Sequence, residues 1–240
     1  MREAFGNDSR LRWFIGDVRD EGRLWRAMKG VQVVVHAAAL KRIEVGFYNP
    51  SEMVKTNVLG TMNVVEACQD CGVRTAVLLS SDKAFQPISA YGQSKALAES
   101  IFLASNGTGG ALGTRFMVTR YGNVSNSTGS VIPLWRAALK SGARVRITDP
   151  DATRFWMYSG EAVDLVLAAI TSPSNAPSLL VPDLPAFRLG DLAAAIGIED
   201  ADIVGLPAHE KLDESMDGTR CSATARRMSI QELVNGLAKL

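Results

Sequence analysis

The sequence predicts an α/β protein built around a doubly wound parallel sheet. Strand-like apolar runs alternate with segments of helical periodicity along most of the chain. Residues 31–36 form a continuous β-branched run, as expected for a strand that is buried on both faces of a parallel sheet. With 240 residues, 47% of them hydrophobic and 21% charged, the chain is long enough for a substantial core.

The elements follow in order along the chain. A short apolar run at 12–15, closed by Gly16 and Asp17, stands where a first strand is expected. Further strands are predicted at 31–36, 76–79, 116–121 and 178–181. Helices are predicted at 20–29, 50–71, 90–104, 131–140, 161–170, 189–196 and 230–240. The glycine-dense stretch 106–110 follows a helix and not a strand, so it predicts a flexible connection and not a phosphate loop.

Composition argues against several classes of partner. A net charge of +1 gives no reason to expect nucleic acid or a membrane surface. No apolar run is long enough to span a bilayer, and the first residues lack a hydrophobic signal segment, so we expect a cytoplasmic protein. Cys68 and Cys71 form a C-x-x-C pair, but no second pair stands at zinc spacing. They predict ordinary reduced thiols, and no metal site is expected.

Four proton-handling side chains lie within a short stretch that follows the strand 76–79. Asp82 and Lys83 come directly after that strand and its two serines. Tyr91 and Lys95 are four residues apart in the next predicted helix, so they share one face of it. An ammonium beside a phenol lowers the phenol pKa and makes it a usable base near neutral pH.

A second candidate region follows the strand 31–36. The small residues Ala37 and Ala38 and then Lys41 come at its carboxyl end, where open α/β sheets bind ligands. Lys41 can hold a phosphate or a sugar hydroxyl, although a solvated lysine is the simpler interpretation. His36 has two interpretations, a packed imidazole with a local hydrogen bond, which we favour, or a cofactor contact.

Seven motifs in one order connect these regions to a known family. The sequence resembles the extended short-chain dehydrogenase/reductases, a Rossmann-like superfamily, over roughly residues 10–215. Within it, the chain is similar to the soluble UDP-N-acetylglucosamine 4,6-dehydratases of the CapD-like polysaccharide-biosynthesis group. The motifs are Asp17-Val-Arg-Asp20, His36-Ala-Ala-Ala39, Lys55-Thr-Asn57, Ser80-Ser-Asp-Lys83, Tyr91-x-x-x-Lys95, Arg120-Tyr-Gly-Asn-Val124 and Thr153-Arg-Phe-Trp156.

The resemblance implies a lyase that oxidises the sugar at C4, loses water across C5 and C6, and returns hydride to C6. In that scheme Tyr91 deprotonates the C4 hydroxyl, while Lys95 lowers the Tyr91 pKa and binds the nicotinamide ribose. Ser81 hydrogen-bonds the C4 oxygen. Asp82 protonates the departing C6 hydroxyl, and Lys83 is the base at C5. Asp82 must then be protonated and Lys83 neutral at work, so both need shifted pKa values.

The resemblance also implies binding residues and partners. Residues expected to bind NADP, or alternatively NAD, are Asp17, Val18, Ala37, Ala38, Lys41, Asn57, Ser80, Tyr91, Lys95 and Tyr121. Residues expected to bind the UDP-sugar substrate are Lys41, Asn123, Arg154, Glu210 and Lys211. Because relatives of this kind assemble, we expect a homo-oligomer.

The family pattern predicts two regions in this chain, and the chain lacks one part of that pattern. Residues 1–125 correspond to the Rossmann-like NAD(P)-binding core. Residues 126–240 correspond mainly to a smaller substrate-binding region, from which 156–182 returns to the core. The family begins with a strand, a glycine-rich turn, a helix and a second strand, which this sequence lacks. We therefore expect an N-terminally truncated core without its main pyrophosphate-binding turn.

Three accounts of this departure stay open: a fragment of a normal enzyme, completion by another chain, or a reduced relative without turnover. The first function hypothesis is a nucleotide-sugar 4,6-dehydratase in surface-glycan synthesis. A nucleotide-sugar 4-epimerase shares Tyr91 and Lys95 but does not need Asp82 and Lys83. A non-catalytic binding or assembly module is the third hypothesis.

Overall fold

The computed structural model describes residue 6 and residues 8–108 and 113–240. Its centre is a four-stranded parallel sheet with the strand order β1-β2-β3-β7. Helices cover both faces of this sheet, so the predicted doubly wound α/β class is confirmed. No described helix is long and apolar enough to cross a membrane.

The strands are β1 (Val33–His36), β2 (Thr75–Ser81), β3 (Arg115–Tyr121), β4 (Asn123–Val124), β5 (Val145–Ile147), β6 (Thr153–Met157), β7 (Leu179–Leu180), β8 (Ala186–Arg188) and β9 (Ala201–Ile203). The α-helices are α1 (Glu21–Met28), α2 (Ile43–Tyr48), α3 (Pro50–Met53), α4 (Gly60–Asp70), α5 (Ala90–Ala104), α6 (Val131–Ser141), α7 (Ser159–Thr171), α8 (Leu189–Ile196) and α9 (Ile230–Leu237). A π-helical turn covers Val54–Leu59, and 3-10 turns cover Asp82–Ala84 and Ser105–Gly107.

Alternate residues of the buried strands pack against the helices on opposite faces of the sheet. Ala76 and Leu78 of β2 pack into the cluster formed with α1, α4 and α5, which includes the fully buried Phe102. Val77 between them packs on the other face with Met117 of β3 and the helix α7. This period of two is the reason that one strand buries both faces, and it explains the uninterrupted apolar run.

A second core lies among the elements after β3. The strands β4, β6 and β8 form one small sheet, and β5 pairs with β9. Trp135, Trp156, Leu192 and Leu233 pack together between α6, α8, α9 and these strands. The division into 1–125 and 126–240 stays a prediction.

Two predicted elements differ from the structure. Residues 12–15 form no strand, and Ile15 is 96% exposed. A strand is stable only when a neighbour pairs with it, and no described strand pairs with this run. The predicted helix 50–71 is continuous, but Val54–Leu59 takes a π-helical form inside it. Helix α2 had no separate prediction, and residues 109–110 of the glycine-dense stretch lie outside the described residues.

The chain from β2 into α5 forms a tight connection that positions the candidate site. Ser89 caps α5 by accepting a hydrogen bond from the Gly92 backbone N–H at 3.1 Å. Gly92 packs directly beneath the 3-10 turn, where a Cβ would overlap the Lys83 carbonyl oxygen and lie 3.0 Å from Pro87 Cβ. The absence of a side chain at Gly92 therefore lets the helix approach the turn that carries Asp82 and Lys83.

We expect Gly92→Ala to destabilise the protein by ~1–3 kcal/mol, because the added methyl group overlaps backbone that cannot rotate away. Gly160→Ala in α7 is the matched control, since its Cβ would meet no atom within 4 Å. Urea unfolding measures both free energies. Equal stabilities for the two variants would contradict the close packing of α5 on the turn.

Candidate active site

A cleft of about 550 Å³ opens at the carboxyl ends of β2 and β3. This is the position at which open parallel sheets bind ligands. Eleven of the predicted site residues line it: Lys41, Ser80, Ser81, Asp82, Lys83, Tyr91, Tyr121, Asn123, Arg154, Glu210 and Lys211. The structure therefore brings together residues that the sequence spreads over most of the chain.

The Lys83 ammonium lies between two carboxylates. Its Nζ is 3.2 Å from Asp82 Oδ1 and 3.2 Å from Glu214 Oε1. Burial acts to lower the Lys83 pKa, but the charges of Asp82 and Glu214 outweigh it and raise the pKa above its usual value. In this state Lys83 is a cation, so the neutral amine that the dehydratase scheme needs must arise by loss of a proton.

Asp82 is almost completely buried at the start of the 3-10 turn. Its Oδ1 accepts a hydrogen bond from the Ser81 hydroxyl at 2.8 Å and one from Lys83 Nζ at 3.2 Å. Its Oδ2 is buried and has no hydrogen-bond partner among the described residues. A buried carboxylate oxygen without a partner is costly, and a ligand hydroxyl that donates to it relieves that cost.

Tyr91 begins α5 and lines the cleft beside this cluster. Burial raises its pKa, while the Lys83 ammonium and the Ser81 hydroxyl act to lower it and Asp82 acts to raise it. The expectation that Lys95 lowers the Tyr91 pKa is wrong for this arrangement, because the cation that acts on Tyr91 is Lys83 and the net shift is upward. The four-residue spacing places both side chains on one helix face, but the ammonium of Lys95 turns toward the strand.

Lys95 is 4% exposed and donates from Nζ to the Leu79 carbonyl at 2.6 Å. Burial lowers its pKa to about 8, and the negative charge of Glu99 only partly offsets this. Near it, the Ser80 hydroxyl is buried without a hydrogen-bond partner in the described part of the chain. The Lys95 ammonium and the Ser80 hydroxyl can therefore donate hydrogen bonds to a polar ligand at the end of β2.

The predicted substrate residues meet on the far wall of the cleft. Arg154 is buried and donates to the carbonyls of Thr153 and Leu212, and its Nη2 is 3.5 Å from Glu210 Oε2. Lys211 donates to the Phe85 carbonyl at 2.7 Å. These contacts hold the segment 210–214 against β6 and against the 3-10 turn at Asp82–Ala84.

Several predicted cofactor residues do not line the cleft. Asp17 forms a bidentate salt bridge with Arg19 at the surface, and this contact lowers the Asp17 pKa to about 2. Asn57 uses its side chain on the backbone of Leu40 and on the Ser94 hydroxyl, so it supports the loop after β1. It sits in the π-helical turn, a form that is frequent at functional sites. Val18, Ala37 and Ala38 also lie outside the cleft lining.

The imidazole of His36 is packed, as we favoured from the sequence. Its Nε2 is 3.0 Å from the Thr61 hydroxyl, and its ring stacks on Phe102. Burial, with a smaller effect of Lys95, lowers the His36 pKa to about 4. His36 is therefore neutral near pH 7 and has a structural role.

Sequence reasoning missed Glu214. It lies more than half the chain away from Lys83, and no local pattern connects the two. The available signal was its position three residues after Lys211, in a segment already assigned to the substrate side.

Comparison with known proteins shows the family of this chain. The profile of a family described as "Polysaccharide biosynthesis protein" matches residues 2–231. The chain belongs to this family.

Two kinds of relative are similar to this family member. It is 42% identical over 208 residues to a UDP-N-acetylglucosamine 4,6-dehydratase (inverting) of Campylobacter jejuni, an alignment that covers 86% of this chain and 62% of the relative. It is 43% identical over 196 residues to a UDP-glucose 4-epimerase of Rickettsia rickettsii, covering 82% of this chain and 57% of the relative. The chain thus spans about three fifths of the length of these curated relatives.

Solved structures are similar over the whole chain. Pen from Bacillus thuringiensis matches with a TM-score of 0.92 and 29% identity, covering 100% of this chain and 85% of Pen. DesIV from Streptomyces venezuelae, a dTDP-glucose 4,6-dehydratase with NAD and TYD bound, matches with a TM-score of 0.82 and 24% identity. That match covers 99% of this chain and 80% of DesIV, and it shows the fold alone.

We expect Lys95→Met to stabilise the protein at pH 7 by ~1–3 kcal/mol. The folded-state pKa of about 8 lies below the usual 10.5. At pH 7 the buried Lys95 ammonium therefore lowers the free energy of unfolding. This penalty is complete below pH 8 and disappears as the pH rises through 10.5. The gain from Lys95→Met should therefore fade between pH 7 and pH 10.5.

Urea unfolding at the two pH values measures this gain. Lys140→Met, at an exposed lysine of α6, is the control and should show little difference between the two conditions. A gain for Lys95→Met that is the same at both pH values would contradict the buried-ammonium explanation.

Proposed function

We propose that this chain carries the active site of a nucleotide-sugar 4,6-dehydratase that acts on a UDP-N-acetylglucosamine-like sugar. The observation that carries the proposal is the cluster of Asp82, Lys83 and Tyr91 in one cleft, with Asp82 and Lys83 in direct contact. Loss of water across C5 and C6 needs a base for the C5 proton and an acid for the C6 hydroxyl. An adjacent carboxyl and amine supply both roles.

The residues at the ends of β2 and β3 fit a nicotinamide dinucleotide. The buried Ser80 hydroxyl has no partner among the described residues, and Lys95 Nζ bears three donors of which one is on the Leu79 carbonyl. Ser80, Lys95 and Tyr91 would hold the nicotinamide ribose. Ser80, Tyr91, Lys41 and Tyr121 line the cleft, whereas Lys95 lies outside its lining. When bound, the cofactor supplies the acceptor for the C4 hydride and its return to C6.

One proton transfer prepares the site. Moving a proton from the Lys83 ammonium to Asp82 Oδ1, across 3.2 Å, leaves a neutral amine and a protonated carboxyl. Lys83 then takes the C5 proton, and Asp82 gives its proton to the departing C6 hydroxyl, which leaves as water. The end state again holds a Lys83 ammonium and an Asp82 carboxylate, so this half of the reaction needs no proton from solvent.

Tyr91 serves the oxidation at C4 in this proposal. Its side chain lines the cleft. After the phenol has given its own proton to solvent, the phenolate accepts the proton of the C4 hydroxyl while Ser81 bonds the C4 oxygen. The Lys83 ammonium and the Ser81 hydroxyl both favour the phenolate of Tyr91. The two halves of the reaction are therefore coupled through Lys83. Its positive charge first favours the Tyr91 phenolate, and its proton then passes to Asp82.

The nucleotide side of the cleft suits a diphosphate. Arg146 and Arg154 line it, as does the first turn of α6, where backbone N–H groups favour an anion. A guanidinium fork matches phosphate oxygens. Asn123, Glu210 and Lys211 are proposed as further substrate contacts.

A nucleotide-sugar 4-epimerase is the second candidate, favoured by the Rickettsia relatives of 43% identity. Epimerisation uses Tyr91 and Lys95 but requires no proton transfer at C5. The finer expectations of NADP as the cofactor, a cytoplasmic location and a homo-oligomer rest on the family resemblance and stay predictions.

We expect the chain, supplied with NADP or NAD, to convert UDP-N-acetylglucosamine to a 4-keto-6-deoxy product. Lys83→Ala should lower this dehydration by ~10²–10⁴-fold, because it removes the base at C5. Lys140→Ala, at an exposed lysine outside the cleft, is the control and should leave turnover unchanged. Product formation is followed by mass spectrometry and proton NMR.

The same variant separates the two candidates. If the chain is an epimerase, Lys83→Ala retains C4 inversion and the parent chain gives no 4-keto-6-deoxy sugar. Failure of the parent chain to give that product from any UDP- or dTDP-sugar would refute the dehydratase proposal.

A further inference from the structure

Glu214 lines the described cleft and contacts Lys83, yet the proposed chemistry gives it no role. It is 2% exposed, and its Oε1 lies 3.2 Å from Lys83 Nζ. Its Oε2 is buried without a hydrogen-bond partner and lies 4.0 Å from Lys211 Nζ, an ion-pair distance. A carboxylate this deeply buried is costly unless a cation compensates it.

The backbone holds Glu214 in place independently of Lys83. The Glu214 N–H donates to the Ser222 hydroxyl at 2.8 Å, and the Ser222 N–H donates to the Glu214 carbonyl at 2.7 Å. The same Ser222 hydroxyl is 2.6 Å from the hydroxyl of Thr153 in β6. Glu214 therefore reaches Lys83 from a rigid support and is not drawn along by it.

Following the proton between Lys83 and Asp82 explains why the elimination needs a second carboxylate beside Lys83. Once Asp82 has accepted the proton from Lys83, it no longer carries the charge that held the ammonium. Glu214 is then the remaining anion in contact with Nζ. When Lys83 takes the C5 proton and becomes a cation again, Glu214 stabilises that cation.

We propose that Glu214 is a positioning residue for the elimination step, which fixes Lys83 Nζ at the cleft and stabilises the ammonium formed as Lys83 takes the C5 proton. This role rests on the proposed function. Glu214 itself exchanges no proton with the sugar. Its relation to Lys83 is that of a buried carboxylate to a histidine base in a hydrolase triad.

Three other charged or titratable groups interact with Lys83: Asp82 of the same turn, Tyr91 of α5 and Arg154 of β6. Lys211 lies against the other carboxylate oxygen of Glu214. Asp82 raises the Lys83 pKa, whereas Arg154 lowers it. Removing the charge of Glu214 leaves Asp82 alone against burial and Arg154, so the ammonium of Lys83 should lose its proton at lower pH.

The first experiment observes Lys83 directly in the free chain. The ¹³Cε signal of Lys83, assigned with Lys83→Arg, is followed from pH 7 to pH 10.5. We expect the unaltered chain to keep the ammonium signal across this range and Glu214→Gln to begin losing it within the range. Asp213→Asn is the matched control, because this neighbouring carboxylate bonds Thr153 and not Lys83.

The second experiment uses turnover. Glu214→Gln should lower kcat for dehydration at least tenfold and change KM for the nucleotide sugar less than threefold. It should also move the fall of kcat at high pH to lower pH, because Asp82 and Lys83 together must keep the one proton that they exchange. Glu214→Asp, which keeps the charge, should recover part of kcat and tests the proposal if Glu214→Gln does not fold. A merely structural role predicts equal losses at every pH and no recovery by aspartate.

The outcomes separate the two proposals. If the Lys83 signal of Glu214→Gln titrates like that of the unaltered chain, or Asp213→Asn shifts it equally, the positioning role is wrong whatever the activity. If the Lys83 titration shifts but the unaltered chain makes no 4-keto-6-deoxy product, the contact stands, the proposed function fails, and the elimination role of Glu214 fails with it.

Discussion

The buried guanidinium of Arg120 is the interaction on which the site depends. At the end of β3 it binds both carboxylate oxygens of Glu99 in α5 and donates to the Met216 carbonyl. One side chain thus joins the parallel sheet, the helix that carries Tyr91 and the segment that carries Glu214. Breaking such a pair leaves a buried unpaired charge, which typically costs about 3–5 kcal/mol. The position of Glu214 opposite Lys83 follows from this connection.

The sequence predicts the parts of the site that are local. Asp82 and Lys83 follow a buried strand and Tyr91 lies early in the next helix, so chain continuity alone brings them to one edge of the sheet. The motif order along the chain also places Arg154 and Lys211 on the substrate side. Glu214 was not predictable in this way, because its contact with Lys83 depends on β6, on Ser222 and on Arg120, none of which has a local signal pointing to it.

The predictions that differ from the structure share a physical reason. A strand at 12–15 and an effect of Lys95 on Tyr91 were both inferred from spacing within a short segment. Whether an apolar run becomes a strand depends on a partner strand, and the described sheet offers none to this run. The direction of the Lys95 ammonium depends on the Leu79 carbonyl, which lies in another element. Periodicity fixes which residues share a face, but tertiary contacts decide where their polar ends point.

Burial acts to lower the pKa of both lysines of the site, but their neighbours make the two net shifts opposite. Lys83 meets two carboxylates, so its pKa is raised and it rests as a cation. Lys95 has Glu99 four residues along its helix, but that carboxylate is already bound to Arg120, so burial prevails and lowers the Lys95 pKa to about 8. A site that needs one lysine to hold a ligand and another to exchange a proton benefits from this separation. In the proposed reaction, Lys83 can accept the C5 proton only because its neutral form is reached by transfer to Asp82. The Glu214 carboxyl group lies 3.2 Å from the ammonium that forms.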